Sequence, residues 1–91
     1  MLTDAQRKLA RHALGLPNNS KRSYRNRYRT PFIGQENVEW CAMHDAGYAV
    51  CVPVEGDSAL GPFFYLTEAG ARLALNKGEK LCPEDFPKQT A

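Results

Sequence analysis

The chain has 91 residues, of which 43% are hydrophobic, 24% charged and 10% aromatic, a composition that fits one compact domain and excludes a multidomain enzyme. A domain this short needs most of its apolar side chains for its own core, so few remain to line a deep substrate pocket. The net charge of +2 conceals a division, because residues 1–31 hold eight Lys and Arg against one acid (+7) and residues 32–91 hold four against nine (−5). Such a division indicates either a negatively charged partner or internal pairing of the two halves.

The apolar runs are too short to cross a membrane. The longest, Tyr48–Val54, has the length of a strand, whereas a span needs about 18 to 20 residues, so we expect no membrane partner. Met1–Gln6 lacks a basic region followed by an apolar stretch, which predicts a cytoplasmic protein. The three cysteines, Cys41, Cys51 and Cys82, form no CxxC pair, and an odd number excludes a full disulfide framework, in agreement with a reducing compartment.

The first predicted element is a helix over Asp4–Leu14. Thr3 and Gln6 have the spacing of a capping box, and Gly15 followed by Pro17 supplies the stop signal. On a helical wheel the apolar positions fall on one side and three cations on the other, which predicts a surface helix with a basic outer stripe. These are Leu2, Ala5, Leu9, Ala13 and Leu16 on the apolar side and Arg7, Lys8 and Arg11 on the basic side.

The most unusual stretch is Lys21–Arg29, here called the basic segment, in which five cations alternate with two tyrosines. Guanidinium groups pair with phosphates and flat rings stack on bases, so this composition favours contact with nucleic acid. In the alternative interpretation, Tyr24 and Tyr28 anchor one helical turn to the core and the cations are only solvated. The candidate nucleic-acid-binding or partner-binding residues are Arg7, Lys8, Arg11, Lys21, Arg22, Tyr24, Arg25, Arg27, Tyr28 and Arg29.

A second helix is predicted from Gln35 to Ala46, ending at Gly47. Its apolar residues are spread widely around the wheel, which predicts a helix packed on more than one side. They are Val38, Trp40, Cys41, Ala42, Met43 and Ala46.

A hairpin and a third helix follow. Tyr48–Val54 and Phe63–Leu66 read as its two strands, with a turn at Glu55–Ser58. Thr67 is predicted to cap a helix that runs to about Asn76, with Glu68 and Arg72 as an i,i+4 pair. Residues 1–80 are therefore expected to form one domain, and residues 81–91, which contain Pro83 and Pro87, an irregular tail.

The stretch Trp40–Leu75 carries a resemblance. A helix ends in Asp45-Ala46-Gly47-Tyr48, a hairpin follows, and Leu66-Thr67-Glu68-Ala69-Gly70 leads into another helix. This leucine-threonine-x-x-glycine join resembles the second half of a winged-helix domain, and the chain is more loosely similar to small phage and prophage proteins. The resemblance implies an α+β fold, a small winged-helix-like domain of helices with a two-stranded antiparallel hairpin, and a regulator-like function in binding DNA.

The resemblance also implies where DNA would lie, and this chain departs from that pattern. In DNA-binding winged helices the helix before the hairpin enters the major groove and the tip of the wing contacts the minor groove or backbone. Phosphates would repel both of these surfaces here, so contact is expected mainly from the first helix and the basic segment. The acids in question are Glu36, Glu39 and Asp45 in the helix and Glu55 and Asp57 in the wing.

Metal binding and catalysis are not indicated. Cys41 and His44 are three apart and Cys51 is near, but a zinc site would need a fourth ligand such as Cys82, and structural sites normally show two close ligand pairs. Cys41 with His44 is also the only short-range nucleophile and base pair, and the adjacent Asp45 disfavours a thiolate. No glycine-rich loop for phosphate is present. We expect no bound metal, no cofactor and no enzymatic activity.

The sequence thus favours a small, cytoplasmic, non-enzymatic nucleic-acid-binding protein that acts through its basic N-terminal pole. The alternative is a phage-type protein-protein interaction module or inhibitor of a host complex, whose basic pole meets an acidic protein surface. The tail Cys82–Pro87 is either an acidic and aromatic docking motif or a segment that packs Leu81 and Phe86 on the core, and the second interpretation is favoured.

Overall fold

The computed structural model of the chain describes residues 1–31, 33–53, 61–83 and 86. In this part of the chain three helices and a three-stranded antiparallel sheet form an α+β fold. The α+β class is the one that the sequence predicts, although it predicts two strands and not three. The elements, in chain order, are α1 (Asp4–Leu14), β1 (Tyr28–Arg29), α2 (Gln35–Asp45), β2 (Ala49–Val52), β3 (Phe63–Leu66) and α3 (Glu68–Ala74).

Helix α1 has the predicted bounds, but it is rotated about its axis relative to the prediction. The capping box is complete, since Gln6 N donates to Thr3 Oγ1 and Thr3 N donates to Gln6 Oε1, both at 3.1 Å. Gly15 ends the helix in the left-handed conformation, with φ of 79°. The buried face is formed by Ala10, Ala13 and Leu14, whereas Ala5, which was expected to be buried, is exposed.

The sheet has the strand order β1-β3-β2, so β3 lies in the centre. The predicted hairpin is present as β2 and β3, paired antiparallel with Cys51 opposite Phe64. A third strand that the sequence did not predict, β1, pairs with the other edge of β3 and places Tyr28 opposite Phe64. The predicted turn at Glu55–Ser58 lies outside the described residues.

The sheet has two different faces. The inner face presents Ala49, Phe64 and Leu66, each of which is buried in the core with the buried residues of the helices. Trp40 stacks on Phe64 with 5.5 Å between ring centroids. Because side chains alternate along a strand, the residues between these face the opposite way. That outer face is formed by Val50, Val52, Phe63 and Tyr65, together with Arg29, which pairs with Phe63 in the register.

Helix α2 packs on one side only, so the prediction that it packs on more than one side is wrong. Trp40 and Met43, three residues apart, are its buried residues, whereas Val38, Cys41 and Ala42 are exposed. The physical reason is size: Val38, Cys41 and Ala42 are small, so leaving them exposed costs less hydrophobic free energy than exposing the indole of Trp40 would.

Helix α3 begins at the predicted position and contains the predicted Glu68–Arg72 pair, but it ends before Asn76. The Thr67 side chain accepts a hydrogen bond from Gly70 N at 3.2 Å, and Arg72 donates to Glu68 at 2.9 Å. Leu75 is already extended, with ψ of 141°. Gly70 is buried, and a Cβ there would collide with the backbone carbonyl of Tyr48. The glycine of the leucine-threonine-x-x-glycine join is therefore required by close backbone approach.

Leu81 and Phe86 pack against the core, which is the interpretation that the sequence favoured for the tail. Glu84 and Asp85 lie outside the described residues. In the described part of the chain, no helix combines the length and the apolar character that crossing a bilayer requires.

Candidate nucleic-acid interface

The basic segment is extended rather than helical, and its backbone is tied to the rest of the fold. Ser23 N donates to Lys80 O at 2.9 Å, and Lys80 N donates to Lys21 O at 2.9 Å. Thr30 N donates to Pro62 O at 3.0 Å. Ser23 and Thr30 are both buried, so the segment is held at each end while the residues between them run along the edge of the sheet.

Asn26 fixes the register of the segment against β3. Its side-chain Nδ2 donates to Leu66 O at 2.9 Å, and its Oδ1 accepts from Leu66 N at 2.8 Å. The amide therefore satisfies both backbone groups of Leu66, in place of the neighbouring strand residue that would normally do so. This contact and the two-residue strand β1 place Arg27 and Arg29 on the outer face of the sheet.

Two cations from the sequence-predicted site, Arg7 and Arg11, point into the fold. Arg11 Nη1 donates to Ala74 O at 2.9 Å, and its guanidinium contacts both carboxylate oxygens of Glu79 at 2.5 and 2.8 Å. Arg7 donates to Leu75 O at 3.2 Å and to the side chain of Asn76. The carbonyl of Ala74, the last residue of α3, and that of the cap residue Leu75 therefore find side-chain donors in place of the intrahelical partners that a helix end lacks. Arg7 and Arg11 are structural residues in this arrangement.

The Arg11–Glu79 pair is a strong electrostatic contact, because the side chains are only 11% and 7% exposed. The hydrogen bonds from Arg11 lower the pKa of Glu79 to about 2, against the opposing effect of burial, and a further hydrogen bond from Asn76 N contributes. The same contact raises the pKa of Arg11. This pair is where the basic N-terminal part meets the acidic remainder of the chain.

The cations of the basic segment differ from Arg11 in that their contacts are with uncharged groups, and from both Arg7 and Arg11 in that they are exposed. Arg25 donates to His12 O at 2.7 Å, and Arg29 donates to Gly61 O at 3.0 Å. The guanidinium carbon of Arg27 lies 4.2 Å from the centroid of the Phe63 ring. Among the described residues, Arg11 pairs with Glu79 and Arg72 pairs with Glu68, and no cation of the segment lies in an ion pair. The exposed cations of the candidate site are Lys8, Lys21, Arg22, Arg25, Arg27 and Arg29.

The two tyrosines of the segment have separate roles. Tyr28 anchors the segment: it packs against the core, with its ring 5.5 Å from that of Trp40. Burial raises the pKa of its hydroxyl, and a hydrogen bond with Glu36 adds to this. Tyr24 is 63% exposed and lies over Gly15, where a Cβ would collide with its ring.

An open cleft of about 470 Å³ lies between α1 and α2, with Tyr28 in its wall. Its polar groups have mixed charge, since Lys8 and His12 come from α1 and Glu36 and Glu39 from α2. Glu39 is engaged there by Gln6 Nε2 at 3.3 Å. Because the cleft carries charges of both signs, it complements neither a polyanion nor a polycation.

The cysteines and histidine that the sequence singled out do not form a metal-ligand group in the described part of the chain. Cys41 donates to Asn37 Oδ1 at 3.4 Å, and His44 Nδ1 lies 3.6 Å from its neighbour Asp45. Burial, together with the nearby Cys41, raises the pKa of Cys51, which is the opposite of thiol activation. In the described ranges no group of three His, Cys, Asp or Glu side chains is placed to hold a metal ion.

Comparison with known proteins gives no match: no family model, no curated protein and no solved structure is significantly similar to this chain. The resemblance to winged-helix domains therefore stays a prediction, and the function is argued from the residues themselves.

Proposed function

We propose that the protein binds nucleic acid, without catalysing a reaction, through the cations of the basic segment. The observation that carries this proposal is that these cations are exposed and are not neutralised by a described carboxylate. Lys21, Arg22, Arg25, Arg27 and Arg29 are exposed and, among the described residues, none forms an ion pair.

A cation that no carboxylate of the described residues neutralises keeps its charge for a partner. Where the guanidinium groups of Arg25 and Arg29 are held, they are held by carbonyl oxygens, which orient a side chain without neutralising it. The sequence left a second possibility, that the basic and acidic halves of the chain pair with each other. In the described residues Arg11 and Glu79 form such a pair. The five exposed cations are within one extended stretch, and phosphates spaced along a strand present the complementary pattern.

The test is a salt titration with a matched control. Each neutralised phosphate adds about 0.9 to the slope of log affinity against log salt. In the double variant Lys21→Gln with Arg22→Gln the slope is expected to fall by about 1 to 2, with weaker binding at every salt concentration. The control, Arg72→Gln with Lys77→Gln, removes the same charge from two exposed cations elsewhere and should change the slope little.

Two outcomes contradict the proposal. If random duplex and single-stranded oligonucleotides both fail to bind at low salt, the protein is not a nucleic-acid-binding protein. If the control weakens binding as much as the double variant does, the interaction depends on net charge alone and the basic segment is not the site.

A protein-interaction module is the second candidate, and a separate observation favours it. Ile33, just before α2, is 85% exposed, and Val38, in the first turn of α2, is 58% exposed. Exposed apolar side chains suit a protein surface better than a phosphate backbone. Val38→Lys discriminates the two: it should leave or increase affinity for nucleic acid, and it should weaken the complex with a protein that co-purifies and docks there.

A further inference from the structure

The outer face of the sheet carries features that phosphate binding alone does not use. Phe63 and Tyr65 are two residues apart on the central strand, so their side chains lie on this face about 7 Å apart along the strand. Tyr65 is 38% exposed although it stands on a central strand. The inner-face residues on the same strand, Phe64 and Leu66, are buried.

Two guanidinium groups lie close to the Phe63 ring. The Arg27 guanidinium lies on the Phe63 ring at 4.2 Å, and the Arg29 guanidinium is 5.7 Å from the same centroid. The Arg29 guanidinium is also oriented by its hydrogen bond to Gly61 O, and the backbone next to Arg27 is tied to β3 through the side chain of Asn26. The strands that form this face, β1, β2 and β3, contain no acidic residue.

We propose that the outer face of the sheet binds single-stranded nucleic acid, with one base stacked on the Tyr65 ring and a neighbouring base on the guanidinium of Arg27 where it covers Phe63. This inference rests on the proposed function and names its substrate class. Arg29 and the remaining cations of the basic segment then meet the phosphates.

Single strands are favoured over duplexes by the chemistry of the face. A base offers its flat surface only when it is unstacked, and proteins use aromatic rings and guanidinium planes on sheets to receive such bases. A duplex contacts the protein mainly through its phosphates, which bind cations, and its stacked bases cannot stack on the Tyr65 ring. The charge of the face, supplied by Arg27 and Arg29 without a carboxylate on the strands, complements a polyanion and not a basic protein.

The test compares a thymidine or uridine oligonucleotide of about 15 nucleotides, a length within the range of single-stranded sites, with a random duplex of the same length. Two variants remove stacking and keep the charge: Tyr65→Leu removes the open ring, and Arg27→Lys replaces a plane with a point charge. Each is expected to weaken single-strand binding about 5- to 150-fold, which is the range for loss of one stacked base, and to leave duplex binding unchanged.

The matched control is Leu73→Ala, which removes an apolar side chain of similar exposure (41%) on α3, away from the basic segment and the sheet. It should leave single-strand binding unchanged. Both test positions are exposed, so circular dichroism and thermal unfolding are expected to match those of the unaltered protein. A photocrosslink from 5-bromouridine in the oligonucleotide should map to Tyr65 and not to Tyr24.

The failures are distinguishable. If neither oligonucleotide nor duplex binds at low salt, the proposed function itself fails. If the duplex binds as tightly as the single strand, or if Tyr65→Leu and Arg27→Lys leave single-strand binding unchanged, the protein binds phosphates only and the stacking site is refuted. A crosslink that maps to Tyr24 and not to Tyr65 would also overturn it.

Discussion

Replacing Glu79 by Gln tests whether Arg11 belongs to the fold or to the binding surface. The substitution keeps the volume and the oxygen that accepts from Asn76 N, and it removes the charge beside Arg11. Since a tenfold change in proton affinity is worth about 1.4 kcal/mol, the fall in the pKa of Glu79 from 4.5 to about 2 corresponds to about 3 kcal/mol at neutral pH. Solvent at the edge of the pair screens part of this, so we expect a loss of about 1 to 3 kcal/mol in the free energy of unfolding.

The pH dependence gives the sharper measurement. The pKa of Glu79 is lower in the folded protein than in the unfolded chain, so the stabilisation is present above pH 4.5 and is lost as the pH falls toward about 2. Urea unfolding of both proteins over this range should show a difference that shrinks below pH 4.5 and disappears near pH 2.

An exposed ion pair on α3 supplies the control for this experiment. Glu68→Gln breaks the Arg72–Glu68 pair, in which both side chains are at least half exposed, and should cost only about 0.3 to 0.5 kcal/mol. The reasoning is refuted if Glu79→Gln costs no more than this control, or if its cost at neutral pH persists unchanged at low pH.

Three further substitutions test the contacts that shape the site. Arg11→Met should lower stability, measured by urea unfolding, and leave the salt slope of oligonucleotide binding unchanged; a slope reduced by about 1 would return Arg11 to the interface. Asn26→Asp removes the donor to Leu66 O and should cost about 1 to 3 kcal/mol in thermal unfolding, whereas an unchanged melting temperature would show that the amide does not hold β1. Gly70→Ala should cost about 1 to 3 kcal/mol, because the Cβ meets the Tyr48 carbonyl, and a neutral effect would refute the close approach.

The elements that the sequence predicted well have local causes. Helix α1 was predicted to its exact bounds because its signals, Thr3 with Gln6 at the start and Gly15 at the end, act within one turn of the helix they delimit. Strand β3 was equally well predicted, since Phe63–Leu66 is a short apolar run between turn signals. Such features depend on residues that are close in sequence, so the sequence is sufficient to predict them.

The elements that it missed depend on distant partners. Strand β1 has only two residues, and it forms because Tyr28 and Arg29 meet residues of β3 much further along the chain. The amide of Asn26, which fixes its register, bonds a residue 40 positions away. Likewise the helical wheel places Arg7 and Arg11 on the same side of α1, but it does not show that this side meets the carbonyl end of α3, which comes more than 60 residues later.

Composition counts all the cations of residues 1–31 together, but the structure divides them into cations that support the fold and cations that are available to a partner. A cation that supports the fold is best placed where a carboxylate lies within reach, as Arg11 is, because an unpaired buried charge is costly. A cation that serves a partner must be held in place without being neutralised, and carbonyl oxygens and ring faces do this for Arg25, Arg27 and Arg29. Keeping these charges close together raises their mutual repulsion, which a bound polyanion would relieve. Arg7 is also held by uncharged oxygens, but it is half-buried against the end of α3, so exposure separates it from the cations of the basic segment. The groups that hold each guanidinium, taken with its exposure, are therefore a better guide to its role than its place in the basic half of the chain.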